Sequence, residues 1–272
     1  VTGGNPITTS GIIGGVSGLD SLSLTTTGTK LTASADVTAA TVSMASGTTL
    51  DLDDKLIASG AVTVASGGTL DAGADSVSAT GGIANSGTIL VSGTGGVNAD
   101  ISGTGLLDVN ASATVDGVIT QGTADIAAVT LTQGTGTDNY TVGTTNFSAD
   151  GTIAFAAGAK TITGDFTATT DGEGTITIAD NASTTAIVGN LGTSADAAFK
   201  ALTIAGGAAN VTTTTGNLFV DAITQNAADT LQFIGTSGQT VSGIITGGIV
   251  AVGNGTDASD VTFNGVAGTI AS

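Results

Sequence analysis

The chain has 272 residues, a formal net charge of −18, no cysteine or histidine, and only 3% aromatic residues. The lack of cysteine excludes disulfides and thiolate metal sites, and the lack of histidine removes the commonest general base and every histidine-dependent catalytic triad. Four lysines without any arginine offer no basic patch to a nucleic-acid backbone, and no run of about 18 apolar residues is present, so we expect neither a nucleic-acid partner nor direct insertion into a membrane.

A Ser-Gly-x-x-Leu motif recurs through the first half of the chain. Its copies begin at Ser46, Ser66, Ser86 and Ser102, so two equal steps are followed by a shorter one. A unit this short cannot bury an apolar face alone, and a repeat of this size indicates that each copy is one rung of a stack. Glycine in the motif is typical of a corner between two strands, because it adopts backbone angles that strain other residues.

Three aliphatic columns keep the 20-residue step between residues 37 and 97. They are Val37, Ile57, Val77 and Val97; Leu50, Leu70 and Leu90; and Met44, Val64 and Ala84. Apolar and polar residues alternate within a rung, which indicates half-buried strands. Rungs of a parallel β-solenoid stack about 4.8 Å apart. The sequence therefore predicts an all-β, mainly parallel β-solenoid (β-helix) with rungs of about 20 residues, in which each column is a vertical stack.

The second half of the chain follows a different pattern. All seven phenylalanines come after Tyr140, and a motif with a central glycine replaces Ser-Gly-x-x-Leu. Its copies are residues 161–166, 186–191 and 240–245, with an earlier one at 114–119. Their irregular spacing predicts longer rungs or protruding loops. We expect regular solenoid rungs over 1–138 and, over 139–272, either an irregular, Phe-containing continuation of the solenoid or a second β-domain.

Acidic residues are densest between residues 51 and 75. The 20-residue register places Asp51 beneath Asp71, and two carboxylates at rung spacing repel each other unless they are screened or bridged. Calcium prefers oxygen ligands, so Asp51, Asp53 and Asp71 form a candidate calcium site. The alternative is that these side chains point into water, because the sequence has no Gly-rich, Asp-repeating calcium loop. The sequence implies no other cofactor. The 20-residue register also places Lys55 beneath Asp75 on the next rung.

The second motif is best written in residues 187–192, Ile-Val-Gly-Asn-Leu-Gly, which lead to Leu-Thr-Ile-Ala-Gly-Gly at 202–207. Together with the Ser-Gly-x-x-Leu rungs, these segments resemble the passenger regions of bacterial autotransporters and related surface-layer proteins, especially the rickettsial outer membrane protein B type. The resemblance covers most of the chain. It implies an extended β-helix displayed outside the bacterial cell, which acts as a coat, an adhesin or both.

Three functions from different classes remain open at this point. The first is a non-catalytic, self-associating protein of the bacterial cell surface, with a host or neighbouring cell surface as a further partner. The second is the subunit of an extracellular filament, in which residues 1–18 add as a strand to the next copy. The third is a carbohydrate-active enzyme with grouped aspartates, which the absence of tryptophan and arginine disfavours.

Overall fold

The fold is known from a computed structural model. The residues that the structure describes are 6–134, 138–179, 184–205, 209–253 and 260–264. The chain is an all-β parallel solenoid with 59% strand and about 12 turns of roughly 21 residues, which confirms the predicted fold class. It divides into two compact units, Val1–Asp125 and Ile126–Ser272. The division predicted at 138/139 stays a prediction.

The first unit is built from short strands that pair in parallel with the equivalent strand one rung away, as β5 does with β8. One 3-10 turn, Gly15–Ser17, follows the first strand. The strands are β1 (Ile7–Thr9), β2 (Leu19–Leu24), β3 (Lys30–Ala33), β4 (Val37–Met44), β5 (Thr49–Leu52), β6 (Leu56–Ala58), β7 (Val62–Val64), β8 (Thr69–Ala72), β9 (Val77–Ala79), β10 (Ile83–Asn85), β11 (Thr88–Val91), β12 (Val97–Asn98), β13 (Ile101–Ser102), β14 (Leu106–Val109), β15 (Ala113–Asp116) and β16 (Ile119–Ile126), whose last residue already belongs to the second unit.

The 20-residue register holds for part of each predicted column. The pairs confirmed are Leu50 with Leu70, Met44 with Val64, and Val77 with Val97. The best-formed column of the core runs through Leu31, Leu50, Leu70, Ile89 and Leu107, all at most 1% exposed. Burying one such side chain stabilises the fold by about 1.5–3 kcal/mol relative to leaving it exposed.

The same register is wrong at one position of each predicted column. Leu70 pairs with Ile89 instead of Leu90, Val64 pairs with Asn85 instead of Ala84, and Leu56 instead of Ile57 stands between Val37 and Val77. The rungs differ in length: paired residues are 18 apart from Ile89 to Leu107 and 21 apart from Leu56 to Val77. Since side chains alternate between the two faces of a strand, a shift of one residue exchanges the buried side chain for its outward neighbour.

The prediction that Lys55 and Asp75 are neighbours on adjacent rungs is wrong for the same reason. The strand that follows Lys55 pairs Leu56 with Val77, so this rung is one residue longer than the register assumes. The 20-residue register that placed Lys55 beneath Asp75 is therefore wrong at this corner.

The second unit repeats the parallel pairing with longer strands. They are β17 (Thr130–Gln133), β18 (Tyr140–Phe147), β19 (Thr152–Phe155), β20 (Lys160–Ala168), β21 (Glu173–Ile178), β22 (Thr184–Val188), β23 (Phe199–Ile204), β24 (Val211–Thr214), β25 (Leu218–Gln225), β26 (Thr230–Phe233), β27 (Gln239–Thr246), β28 (Ile249–Val252) and β29 (Val261–Asn264). Their main internal column is Leu131, Ile153, Ile176, Leu202, Ile223 and Ile245.

Aromatic rings fill the first rungs of the second unit. The Tyr140 ring lies edge-on to Phe155 at 5.5 Å and is stacked with Phe166 at 5.9 Å, and Phe166 in turn meets Phe199 at 6.5 Å. The Tyr140 hydroxyl shares a 2.7 Å hydrogen bond with the Thr145 hydroxyl, so its polar atom is satisfied although the residue is fully buried. Burial raises the pKa of Tyr140 well above its ordinary value.

Glycines of the second motif occupy a tightly packed corner of this unit. A Cβ atom on Gly189 would lie 2.1 Å from the carbonyl oxygen of Gly164, and one on Gly216 would lie 1.9 Å from that of Gly189. The three glycines are thus successive rungs of one corner. Gly243, grouped with them in the sequence, packs instead over the carbonyl of Val220, at a different corner.

We expect Gly189→Ala to lower the free energy of unfolding by about 1–3 kcal/mol. The reason is that φ at Gly189 is +131° and its added Cβ would meet a backbone carbonyl. Gly238→Ala is the matched control, since the nearest atom to its Cβ would be 4.0 Å away. Urea denaturation measures both. Equal midpoints for the two variants would contradict the close approach at this corner.

Candidate functional site

The predicted carboxylates lie on an outward face of the first unit. Asp51 in β5 pairs directly with Asp71 in β8, as the sequence predicts. Lys30 Nζ lies 2.8 Å from Asp51 Oδ2, and the Thr32 hydroxyl donates to the same oxygen at 3.0 Å. A lysine and a hydroxyl from the rung below therefore compensate Asp51.

Hydroxyls from neighbouring rungs also engage the other two carboxylates. The Ser34 hydroxyl donates to Asp53 Oδ2 at 2.8 Å, and the Ser92 hydroxyl donates to Asp71 Oδ1. In the part of the chain that the structure describes, no three acidic side chains are grouped closely enough to hold a metal ion. The arrangement is a ladder that joins rungs, and the predicted calcium site stays a prediction.

Lys30 was missed because its rung is one residue shorter than the repeat. It pairs with Thr49, while its neighbour Leu31 pairs with Leu50. Aligning Lys30-Leu31 with Thr49-Leu50 would have revealed the lysine next to Asp51. The hydrogen bond and charge of Asp51 raise the pKa of the Lys30 ammonium, but the lysine side chain is 48% exposed, so the ion pair contributes little to stability.

A groove of about 300 Å³ lies at the glycine corner of the second unit. Its polar lining consists of Asp165, Asn190 and Asn217 and the hydroxyls of Thr144, Thr167 and Thr193. Phe219, which is half-buried, supplies apolar surface, and the fully buried Phe166 lies beneath the groove. The sequence had drawn attention to the motifs around Asp165 and Asn190. It missed Asn217, because the step from Leu191 to Leu218 is longer than the step from Phe166 to Leu191.

The three Asp and Asn side chains form a ladder along this groove. The backbone N–H and the Nδ2 of Asn190 each donate to Asp165 Oδ1 at 2.9 Å. The N–H of Asn217 donates to Asn190 Oδ1 at 2.9 Å, and the N–H of Thr240 donates to Asn217 Oδ1 at 2.8 Å. One oxygen per rung thus satisfies a corner N–H that no strand pairing reaches.

A corner groove of the first unit provides a comparison. It measures about 480 Å³ and is lined by Thr80, Asp100, Ser102 and Thr120 among others, with no aromatic ring. Asp100 Oδ1 accepts the N–H of Val118 at 2.9 Å, which is the same corner bond that Asp165 makes in the second unit. Among the described residues, each groove is lined by a single carboxylate, whereas glycoside hydrolysis ordinarily uses a pair.

Comparisons with protein families, with curated proteins and with solved structures found no match to this chain. Among the described residues, no helix has the length and hydropathy needed to cross a membrane.

Asp71 gives a prediction of pH-dependent stability. Burial is the main cause that raises the pKa of its carboxyl, the charge of Asp51 adds to it, and the Ser92 hydrogen bond and Lys30 oppose it. Because folding raises the pKa of Asp71, the folded state binds its proton more tightly than the unfolded state does. Asp71 therefore contributes the most stability at pH values below 3.8, the pKa of the unfolded state, and this contribution is lost as the pH rises through the pKa of the folded state.

We therefore expect Asp71→Asn, which imitates the protonated acid, to be more stable than the wild type near pH 7 by about 0.2–1 kcal/mol, with the difference vanishing near pH 3. Urea denaturation at both pH values measures it. Asp116→Asn is the control, because it removes the same charge at an exposed position of the same unit. A variant that is less stable than the wild type at neutral pH would contradict this assignment.

Calcium should leave the unfolding midpoint of the wild type unchanged, because Lys30 and hydroxyls of neighbouring rungs already occupy oxygens of Asp51, Asp53 and Asp71, and the described acidic side chains are not grouped closely enough to hold the ion. Thermal unfolding followed by circular dichroism, with calcium or with a chelator, tests this. A rise in the midpoint with calcium that Asp51→Asn abolishes would establish the metal site instead.

Proposed function

We propose that this chain is a non-catalytic structural protein of the bacterial cell surface, a coat or adhesin that associates with copies of itself. The observation that carries the proposal is that its Asp, Asn, Ser and Thr side chains form hydrogen bonds from one rung to the next. Asp51, Asp53 and Asp71 bond to hydroxyls of neighbouring rungs, and the groove ladder joins Asp165 to Asn217. Such side chains stiffen a solenoid.

The exterior fits a protein that is displayed in water. A net charge of −18 keeps copies soluble and apart unless a specific surface brings them together. Threonine and serine occupy many outward positions of the strands, and they present hydroxyls without further charge. These properties support an extracellular location and a role of the solenoid as a spacer.

Self-association is supported by an apolar patch on the first unit, formed by Val16, Leu19 and Ile57. These side chains are between 37% and 108% exposed. Val16, Leu19 and Ile57 line a depression of about 230 Å³. Contiguous exposed aliphatic side chains mark protein contact surfaces. A second copy of the chain is the occupant proposed for this apolar patch.

The filament remains the alternative, and one observation favours it. Within the described residues, β1 (Ile7–Thr9) pairs on one side only, with β3. An edge strand with unpaired backbone groups is a template for adding a strand from another chain. Catalysis is left out of the proposal, because each groove holds one carboxylate in the part of the chain that is described.

Sedimentation velocity tests the proposal over a range of protein concentrations. The wild type should form larger species as concentration rises, and Val16→Glu combined with Ile57→Glu should remain monomeric, because carboxylates in the apolar patch repel. Ala228→Glu combined with Ser237→Glu adds the same charge at exposed turns and should associate like the wild type.

Electron microscopy of the same samples separates the two forms of assembly. Two-dimensional lattices support a coat, and one-dimensional fibres support the filament. A wild type that stays monomeric at every concentration would refute self-association in either form.

A further inference from the structure

We infer that the corner groove of the second unit is a binding site for a neutral sugar chain. The groove of about 300 Å³ combines a carboxylate, two carboxamides, three hydroxyls and the half-buried Phe219. This size is at the lower limit of small-ligand sites, and convergent polar groups beside an aromatic surface are what such sites contain. The inference is independent of self-association.

The ladder leaves two side-chain atoms of the groove residues unused. It engages Oδ1 of Asp165, Asn190 and Asn217. Within the described residues, no hydrogen bond engages Asp165 Oδ2 or Asn217 Nδ2. One is an acceptor and the other a donor. Sugar hydroxyls donate and accept, so a row of them can satisfy both.

The polar groups recur at the spacing of the rungs, about 4.8 Å. Asp165, Asn190 and Asn217 therefore form a row in which the two unused atoms, on Asp165 and Asn217, are two rungs apart, and a chain of sugar rings can lie along it. The side-chain amide of Asn190 is already bound to Asp165, which fixes the direction of that row.

An aromatic ring supplies the second half of sugar recognition. Phe219 is half-buried, and Phe166 beside it is fully buried. Gly192 lets its loop approach Phe219 closely, since a Cβ there would lie 2.5 Å from the Phe219 carbonyl oxygen, and its φ is +76°. The C–H faces of a sugar ring pack on an aromatic surface of this kind, while its hydroxyls reach the polar row.

Other classes of ligand fit the groove less well. Asp165 and the net charge of −18 repel phosphates and acidic sugars, and no lysine lines the groove to attract them. An apolar ligand would bury the Asp165 carboxylate and the Asn217 amide without partners, which is costly. A neutral saccharide avoids both penalties. With one carboxylate, the groove would hold the sugar without cleaving it.

Saturation-transfer NMR tests the inference with three neutral probes: maltose, cellobiose and N,N′-diacetylchitobiose. The full chain should transfer saturation to at least one of them. Asn217→Asp keeps the Oδ1 acceptor for Thr240 and removes the free N–H donor, and Phe219→Ala removes the ring. Each variant should weaken binding by roughly tenfold, the effect of losing one good polar or packing contact.

Ser102→Ala, in the ring-free groove of the first unit, is the matched control and should bind like the wild type. Circular dichroism verifies that each variant is folded. If Phe219→Ala does not fold, Asn217→Asp still tests the inference. The inference is overturned if none of the three sugars receives saturation, or if binding survives in a folded Asn217→Asp. Loss of binding in Ser102→Ala would overturn it too. Sedimentation of the same samples keeps this result separate from the proposed self-association.

Discussion

Every other feature of this protein depends on the parallel backbone ladder that holds each rung on the next. The ladder joins Leu50 to Leu70 in the first unit and Leu202 to Ile223 in the second. Because side chains alternate along a strand, an internal column survives only if every rung enters the ladder in phase. Differences in rung length are therefore taken up at the corners and at register shifts in two of the described strand pairs, between Thr141 and Thr144 in β18 and between Phe219 and Ala222 in β25.

The corners are accordingly where the chain is most constrained. Carbonyl oxygens of one rung stand where a Cβ of the next would be, as between Gly164 and Gly189. Only glycine allows this approach at a positive φ. An Asp or Asn follows in the sequence and bonds the backbone N–H that the turn leaves without a strand partner, as Asp165 does for Asn190. The glycine and the following residue act together as one corner device.

The repeat was enough to predict rungs, because a motif that returns at so short and regular an interval can bury its leucines only by stacking. It could not predict which residue of a rung points inward after a corner of different length. Leu90 and Ile57 were misplaced by one residue for that reason. Asn85 shows a further limit. It is buried in the column of Val64, where its Nδ2 donates to Gln121 Oε1 at 2.7 Å, a polar pair that an aliphatic pattern excludes.

The groove residues were harder to predict than the rungs, because they meet only after steps of unequal length. Phe166, Leu191 and Leu218 are successive rungs of one column, although the second step is two residues longer than the first. The corner device then determines what such a groove can recognise. One oxygen of each Asp or Asn holds the turn, and Asp165 Oδ2 and Asn217 Nδ2 are left to face a ligand. Asp100 makes the same bond in the first unit, but no ring lies beside it there. Phe219 therefore gives the groove of the second unit the apolar surface that an otherwise similar corner lacks.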